Sequence, residues 1–579
     1  MRGYAVTGNT LIPEWSLRPI FLKHIGTNLS LADIVSAASE LQVAYRERGY
    51  PTVSVTLPQQ QLTNGLVKIR VFEGTLAEVK VVKNRYFSTS NVLRALPSLT
   101  TGIILNSVLF QAELDRANAN QDRQIYPEIV PGPTTNTSTV ILSVKDRLPL
   151  HARLELNNQS SPGTPELRAN SSAVYNNLWQ LEHSVGLQYS FAPAQMKAGD
   201  DWLFYDRPLV ANYSGFYRLP LSTPDALAEE VASRPGAFGY DEATRRFRLP
   251  APTGVPELTF YGSRSTIDTS VKLASPVLLF SSVARSISRQ DAQQDITINE
   301  GLGGRLTQPI PEFDGIRSVA SLGLDFKKYR LTSYATNIFI FTEHLFDALG
   351  FPFDRVTPVP SPVPTTRRSV NYLPLSLRWD ANRRDSSGSM DLGLSYSPNF
   401  SVGLLNNKSD FQNVAGSKRA DGYYHIINAS LTRDQIVYRD WRLLLHADGQ
   451  WASEPLISNE QYGVGGVNSV RGYREGEQFG DTGWRVSAEQ KTPPLQIGMV
   501  DGTMPMQVRA SVFMDYGQSY LLDPNGRPGQ SSLWGTGFGF ATSIGTHWDG
   551  RLMFAWPLQR TATTEPGRLF ISFGVNAQF

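Results

Sequence analysis

The residues of this chain that could do chemistry are few, and most of them gather in one glycine-rich stretch, Gln461 to Gly483, reading QYGVGGVNSVRGYREGEQFGDTG. Gly463-Val464-Gly465-Gly466-Val467-Asn468 holds two glycines of a dinucleotide-binding pattern, but Asn468 takes the sixth place and a strand, not a helix, follows. Without a helix N-terminus no backbone dipole is aimed at a pyrophosphate, and that chemistry is set aside. What the stretch keeps is a guanidinium, Arg471, between Val470 and Gly472-Tyr473, and its chemistry is directional ion pairing. Elsewhere seven histidines stand scattered without ligand spacing, and cysteine is absent, which excludes disulfides, thiolate metal sites and cysteine nucleophiles. No Ser/His/Asp or metal constellation is legible, so no catalytic residue, metal or cofactor is expected and an enzyme is the remotest reading.

The flanks of the stretch say what must position it. Trp441 to Trp451 and Trp484 to Glu489 alternate apolar and polar residues, as strands do. The connector is therefore a long hairpin loop, residues 455–483. It carries Tyr462, Val464, Val467, Val470, Tyr473 and Phe479, which need a wall to pack against, so the loop is expected to fold into something hollow.

Composition points to the same hollow object. A chain of 579 residues is too long for one ordinary core. Its 54 basic against 52 acidic residues give a charge of +2, with no basic cluster, so nucleic acid is not an expected partner. No stretch approaches the roughly 20 apolar residues of a membrane helix. Yet aromatics make up 11% and glycines number 47, in segments that alternate without helical interruption. That is the composition of a transmembrane β-barrel, apolar toward lipid and polar toward its lumen.

Taken in order, residues 1–76 read strand, helix, helix, strand, strand, with Gly49 as a helix stop and Asn64-Gly65 as a hairpin turn. Residues 77–147 repeat that order, with Ser88 or Ser90 opening the first helix; two stretches agree on a period of about 70 residues. From residue 148 to Phe579 the pattern is dyad alternation throughout. The expected fold is mainly β: an antiparallel barrel of about 16 strands, an even number as closed bacterial barrels have, preceded by two small α+β domains. Leu221 to Val255 and Ser286 to Ile316 are its least legible parts, and the proline-rich run Pro358 to Thr366 reads as a loop outside the membrane. In Val508 to Gly517 the alternation turns Arg509, Ser511, Phe513, Asp515 and Gly517 inward.

The two small domains resemble POTRA domains through Tyr45-Arg46-Glu47-Arg48-Gly49-Tyr50, Leu57-Pro58-Gln59 and Val71-Phe72-Glu73-Gly74. With Val470-Arg471-Gly472-Tyr473 in a late hairpin loop and Phe513-Met514-Asp515-Tyr516-Gly517 two strands on, nearly the whole chain resembles the outer-membrane transporters of two-partner secretion, relatives of the haemolysin and filamentous-haemagglutinin exporters. The resemblance implies that the loop folds back into the barrel and that Arg471 meets Asp515 on its wall, with Phe513 and Gly517 as the wall motif. The last strand, Leu569 to Phe579, puts its apolar residues on one face and ends in an aromatic residue; this resembles the signal by which outer-membrane barrels are recognised, which makes Phe579 and the barrel-assembly machinery partners during biogenesis.

The function implied is export of one unfolded partner exoprotein, of adhesin or cytolysin class, taken up by the POTRA domains in the periplasm and passed through a barrel that a single chain closes in the bacterial outer membrane. No nucleotide site is legible, so folding of the exported chain outside is the expected source of energy. The alternatives are a barrel-assembly or insertase protein of the same superfamily, which usually carries more POTRA domains, and a porin-like channel, which carries none. The family commonly has a leader and a plug helix ahead of the first POTRA domain. Met1 already lies at the first strand, so either the chain is truncated or this member lacks the plug.

Overall fold

A computed structural model describes residues 3–26, 30–60, 65–197, 203–221, 239–241, 246–248, 255–346 and 351–579. Its N-terminal part holds two three-stranded sheets of one design. In the first, Leu66–Glu73 lies in the middle, parallel to Gly3–Thr7 and antiparallel to Val53–Thr56. In the second, Thr137–Asp146 lies in the middle, parallel to Thr75–Val82 and antiparallel to Arg123–Pro131.

Each sheet is covered by two helices. The helix Leu31–Glu47 starts at a capping box, Ser30 with Asp33, and ends before Gly49, whose φ of +86° suits the left-handed position past a helix end. Its Ile34, Ala38, Leu41 and Tyr45 recur at helical spacing and pack on Val53, Val67, Ile69 and Val71 of the sheet. The second sheet packs Ser88-capped Thr89–Arg94 and Ser107–Asn118 over Val140, Leu142 and Val144. Gly65 takes φ +72° after the turn, while Asn64 lies outside the described residues.

Beyond Pro149 the described residues form a closed antiparallel barrel of 16 strands. Its seam joins the last strand to the first, Phe570–Gln578 to Leu150–Asn157, and Phe579 extends it: its N–H donates to the Ala152 carbonyl at 2.9 Å and its carbonyl accepts from Ala152 at 3.1 Å. Along this strand Ser572 and Asn576 turn inward and are buried, while Ile571 and Val575 are exposed on the outside.

The stretch Ser286 to Ile316, illegible as sequence, falls in a very long hairpin. Arg285–Phe313 has 29 residues and Ile316–Phe346 has 31, paired along their length. A tilted strand crosses a bilayer in about 9–11 residues, so these run well past the hydrocarbon layer. The proline run at 358–366 is not a loop. It lies in the strand Pro352–Tyr372, which among the described residues pairs with Ile316–Phe346 alone. The prolines at 358, 360 and 362 share one parity, so their missing N–H groups face one edge, which has no partner among the described residues; Pro364 stands at a shift in register. Of Leu221 to Val255, residues 222–238, 242–245 and 249–254 lie outside the described residues.

Candidate functional site

The wall that receives the loop is built by three adjacent strands, Thr482–Lys491, Met504–Tyr520 and Gln530–Ile544. Their register sets Asp515 between Ser487 and Gly535, Phe513 between Glu489 and Gly537, and Gly517 between Arg485 and Leu533. Directly opposed residues share a face, so this set forms one patch on the lumen side.

Arg471 sits on that patch. Its Nε lies 2.7 Å from Asp515 Oδ2 and its Nη2 2.7 Å from Oδ1, a two-pronged pair, and its backbone N–H donates to Oδ2 at 3.0 Å. Nη1 reaches Glu489 at 2.9 Å and Nη2 reaches the Ser487 hydroxyl at 3.1 Å, while that hydroxyl donates to Asp515 at 2.6 Å. The guanidinium carbon lies over the Phe513 ring, 3.6 Å from its centroid. The side chains of Arg471 and Asp515 are 9% and 0% exposed, so the pair is shielded from solvent. A fork with several donors fits this cluster where a lysine ammonium could not.

Glycines make the approach possible. A Cβ on Gly535 would stand 1.9 Å from the Arg471 carbonyl oxygen, and one on Gly517 would stand 2.6 Å from a Val464 methyl and 3.0 Å from a Val470 methyl. Gly472 has φ +99° and would press a side chain onto the Pro557 backbone. Val464, Val470 and Tyr473 then close over Leu533 as a small apolar cluster. The Tyr473 hydroxyl lies 3.1 Å from the Trp534 carbonyl and 3.0 Å from that of Gln559, and it accepts the Gln559 N–H at 3.0 Å.

Further ties hold the rest of the loop. Tyr462 donates to Asp448 at 2.7 Å; Arg485 pairs with the same carboxylate and donates to the Asn468 carbonyl. Asp481 accepts the Leu456 N–H and the Leu522 N–H, each at 2.8 Å. A second connection meets the loop's base: the helix Lys408–Ala415 packs Phe411 and Val414 among Tyr372, Tyr424, Leu456 and Ile457.

The structure thus brings Val470, Arg471, Gly472, Tyr473, Phe513, Asp515 and Gly517 together, and places Phe579 apart from them at the seam. The sequence reading missed Ser487, Glu489, Gly535 and the Tyr462–Asp448–Arg485 group. Ser487 and Glu489 share the inward parity of their strand, but only the register shows that they flank Asp515. The helix had its own signals, Asn407 with Asp410 as a capping box and Gly416 in the left-handed region behind it.

Known proteins are similar along most of the chain. Residues 1–74 match the family model of the POTRA domain, ShlB-type, and residues 367–542 match that of the haemolysin secretion/activation protein ShlB/FhaC/HecB. The second span contains both Arg471 and Asp515. The outer membrane transporter CdiB of Dickeya dadantii (strain 3937) is 22% identical over 540 residues, which are 92% of this chain and 78% of that protein. The heme/hemopexin transporter protein HuxB of Haemophilus influenzae (strain 86-028NP) is 22% identical over 495 residues, 82% of this chain and 68% of that protein. Among solved structures, CdiB from Escherichia coli superposes with a TM-score of 0.55 at 17% identity, covering 100% of this chain and 90% of the other. BamA from Haemophilus ducreyi, solved without POTRA domains 1–3, gives 0.52 at 13% identity, covering 100% and 99%. At such identities the two structures speak for the fold. The resemblance to the outer-membrane transporters of two-partner secretion is borne out by the family matches, with the barrel in the bacterial outer membrane and POTRA domains in the periplasm.

Proposed function

We propose that this transporter is the translocation pore for one large partner exoprotein, captured unfolded by the two POTRA domains within residues 1–147 and passed through the barrel of residues 148–579. The observation that carries the reading is the loop fastened to the lumen wall through Arg471 and Asp515, inside the span that matches the secretion/activation family. A porin-like channel would carry no POTRA domain, whereas residues 1–74 match one, and in a pore for a polypeptide the fastened loop acts as a guide or gate that gives way.

Capture has a physical route. Each POTRA sheet has an edge strand free of proline, Val53–Thr56 in the first and Thr75–Val82 in the second. An extended chain can add to such an edge through main-chain hydrogen bonds, which tolerate many sequences. The second domain leads directly into the first barrel strand and hands the chain on. The likeness in fold to BamA favours, as a second reading, a barrel-assembly protein of the same superfamily.

Secretion of a candidate partner separates the two. Cells carry the intact protein, Arg471→Ala, or a deletion of residues 1–147, and barrel assembly is followed by heat-modifiable gel mobility. The expected result is loss of secretion in both variants with the barrel assembled. Secretion indifferent to both changes, together with failure of other barrels to insert, would replace export by assembly.

A further inference from the structure

The outer face of the barrel carries a groove that export does not use. Its volume is about 780 Å³, and its lining includes Leu154, Ser171, Leu187, Tyr213, Gly215 and Gly262. Register shows which way it opens. Gly215 opposes Leu187, and Gly262 opposes Leu302, which in turn opposes Phe326. Leu187 and Leu302 are exposed, and none of the charged lumen residues shares their parity, so the groove belongs to the lipid-facing surface. Two glycines standing between leucines sink a trough into what is otherwise an even apolar wall.

Two residue pairs further along the same strands, the outward face turns polar. Arg264 opposes Glu300, which opposes Lys328. Arg264 pairs with Glu300 and, at 3.1 Å, with Asp206; Lys328 lies 3.4 Å from Glu300. Charges on the lipid side of a barrel mark the end of the hydrocarbon layer. Tyr189, Tyr205 and Tyr213 lie at this level, Tyr189 donating to the Tyr205 carbonyl at 2.9 Å and Tyr205 meeting Tyr213 edge to face at 5.2 Å.

Asp206 and Tyr205 come from the stretch 203–209 ahead of Val210, and this stretch is folded outward over the barrel wall. Lys197 secures it, with Nζ 2.7 Å from the Pro208 carbonyl and 2.9 Å from the Thr266 hydroxyl. The fold leaves Phe204 88% exposed beside Leu203, at the rim of the apolar band.

We propose that the groove is a lipid site. It takes an acyl chain of an outer-leaflet lipid along Gly215 and Gly262, under the Tyr205 loop, with the headgroup against the Arg264, Glu300 and Lys328 row and Phe204 dipping into the same leaflet. The occupant follows from continuity: the groove opens in the band that already faces lipid, its volume lies within the range of about 300–1,000 Å³ common to small-ligand sites, and its polar rim lies where headgroups lie. A lumen-facing occupant is precluded by the strand parity.

The test counts lipids that survive detergent washing of the full-length barrel, by native mass spectrometry after extraction from outer membranes. A Cβ on Gly262 would meet its nearest neighbour at 3.6 Å, so Gly262→Leu fills the trough without a clash at its first carbon. The expected result is a retained lipid on the intact protein and its loss in Gly262→Leu, with heat-modifiable mobility unchanged. Equal retention in both, or no retained lipid on the intact protein, overturns the proposal. Because the chain has no cysteine, a spin label at Phe204→Cys supplies a readout that is independent of barrel assembly. Collision with oxygen well above collision with a water-soluble nickel chelate is expected, and the reverse ratio overturns the lipid contact of the loop.

Discussion

Two connections at the same end of the barrel answer the same problem in opposite directions. The connection 453–481 turns into the lumen and buries Val464, Val470 and Tyr473; the stretch 203–209 of the other turns out over the wall and leaves Leu203 and Phe204 exposed. Both carry apolar and aromatic residues, and both are fastened by an arginine–carboxylate pair, Arg471 with Asp515 and Arg264 with Asp206. Hydrophobic content therefore does not choose the direction. What chooses is the parity of the anchoring residue on its strand: Asp515 alternates with the lipid-facing Met514 and Tyr516, whereas Arg264 shares the face of Gly262 and its outward neighbours. A change of one position along a strand moves a side chain to the other face, and with it the loop that the side chain holds.

The comparison breaks most sharply at Gly535. In Gly535→Val the new side chain needs the space of the Arg471 carbonyl, so the loop must leave the wall and the Arg471–Asp515 pair must part. Parting a shielded pair so that its members are left uncompensated costs roughly 3–5 kcal/mol. Limited proteolysis should then cut at Arg471 or Arg474, sites that are resistant in the intact protein, while the outward connection is untouched. Arg264→Ala is the mirror experiment and a smaller one. It leaves Asp206, whose side chain is 4% exposed, without its guanidinium, at a cost of about 1–3 kcal/mol, and should mobilise a spin label at position 204 without altering cleavage at Arg471. Salt gives the smallest effect and sharpens the contrast. Raising ionic strength from about 0.1 M to 1 M shortens the screening length from about 10 Å to 3 Å, which weakens the half-open Arg264 cluster and spares the enclosed Arg471 cluster. The label at 204 should gain mobility across that range while resistance to proteolysis at Arg471 stays constant.

Much of this was legible beforehand for a physical reason. Dyad alternation is a local property, so the barrel and the inward face of Asp515 could be read from consecutive residues. Register is not local. Ser487 and Glu489 flank Asp515 only because the turn 501–503 and the break at residues 492–494 set how two strands slide past each other. The outward charges were hidden for the same reason: Arg264, Glu300 and Lys328 lie on three strands and form one row only once paired. The proline run misled because proline was weighed as a breaker of pairing, when at alternate positions it removes donors from one edge and leaves the other intact.

That edge has a further meaning for a membrane crowded with copies of the same protein. Among the described residues the wall of long strands ends on one side at Val277–Ser281, which pairs with Arg285–Phe313 alone, and on the other at the prolines of Pro352–Tyr372. Unlike edges of this kind could join head to tail, copy after copy, and a contact of that type does not close on itself but grows into filaments. The prolines at 358, 360 and 362 oppose that growth, because an incoming strand would find no N–H donors along that part of the rim.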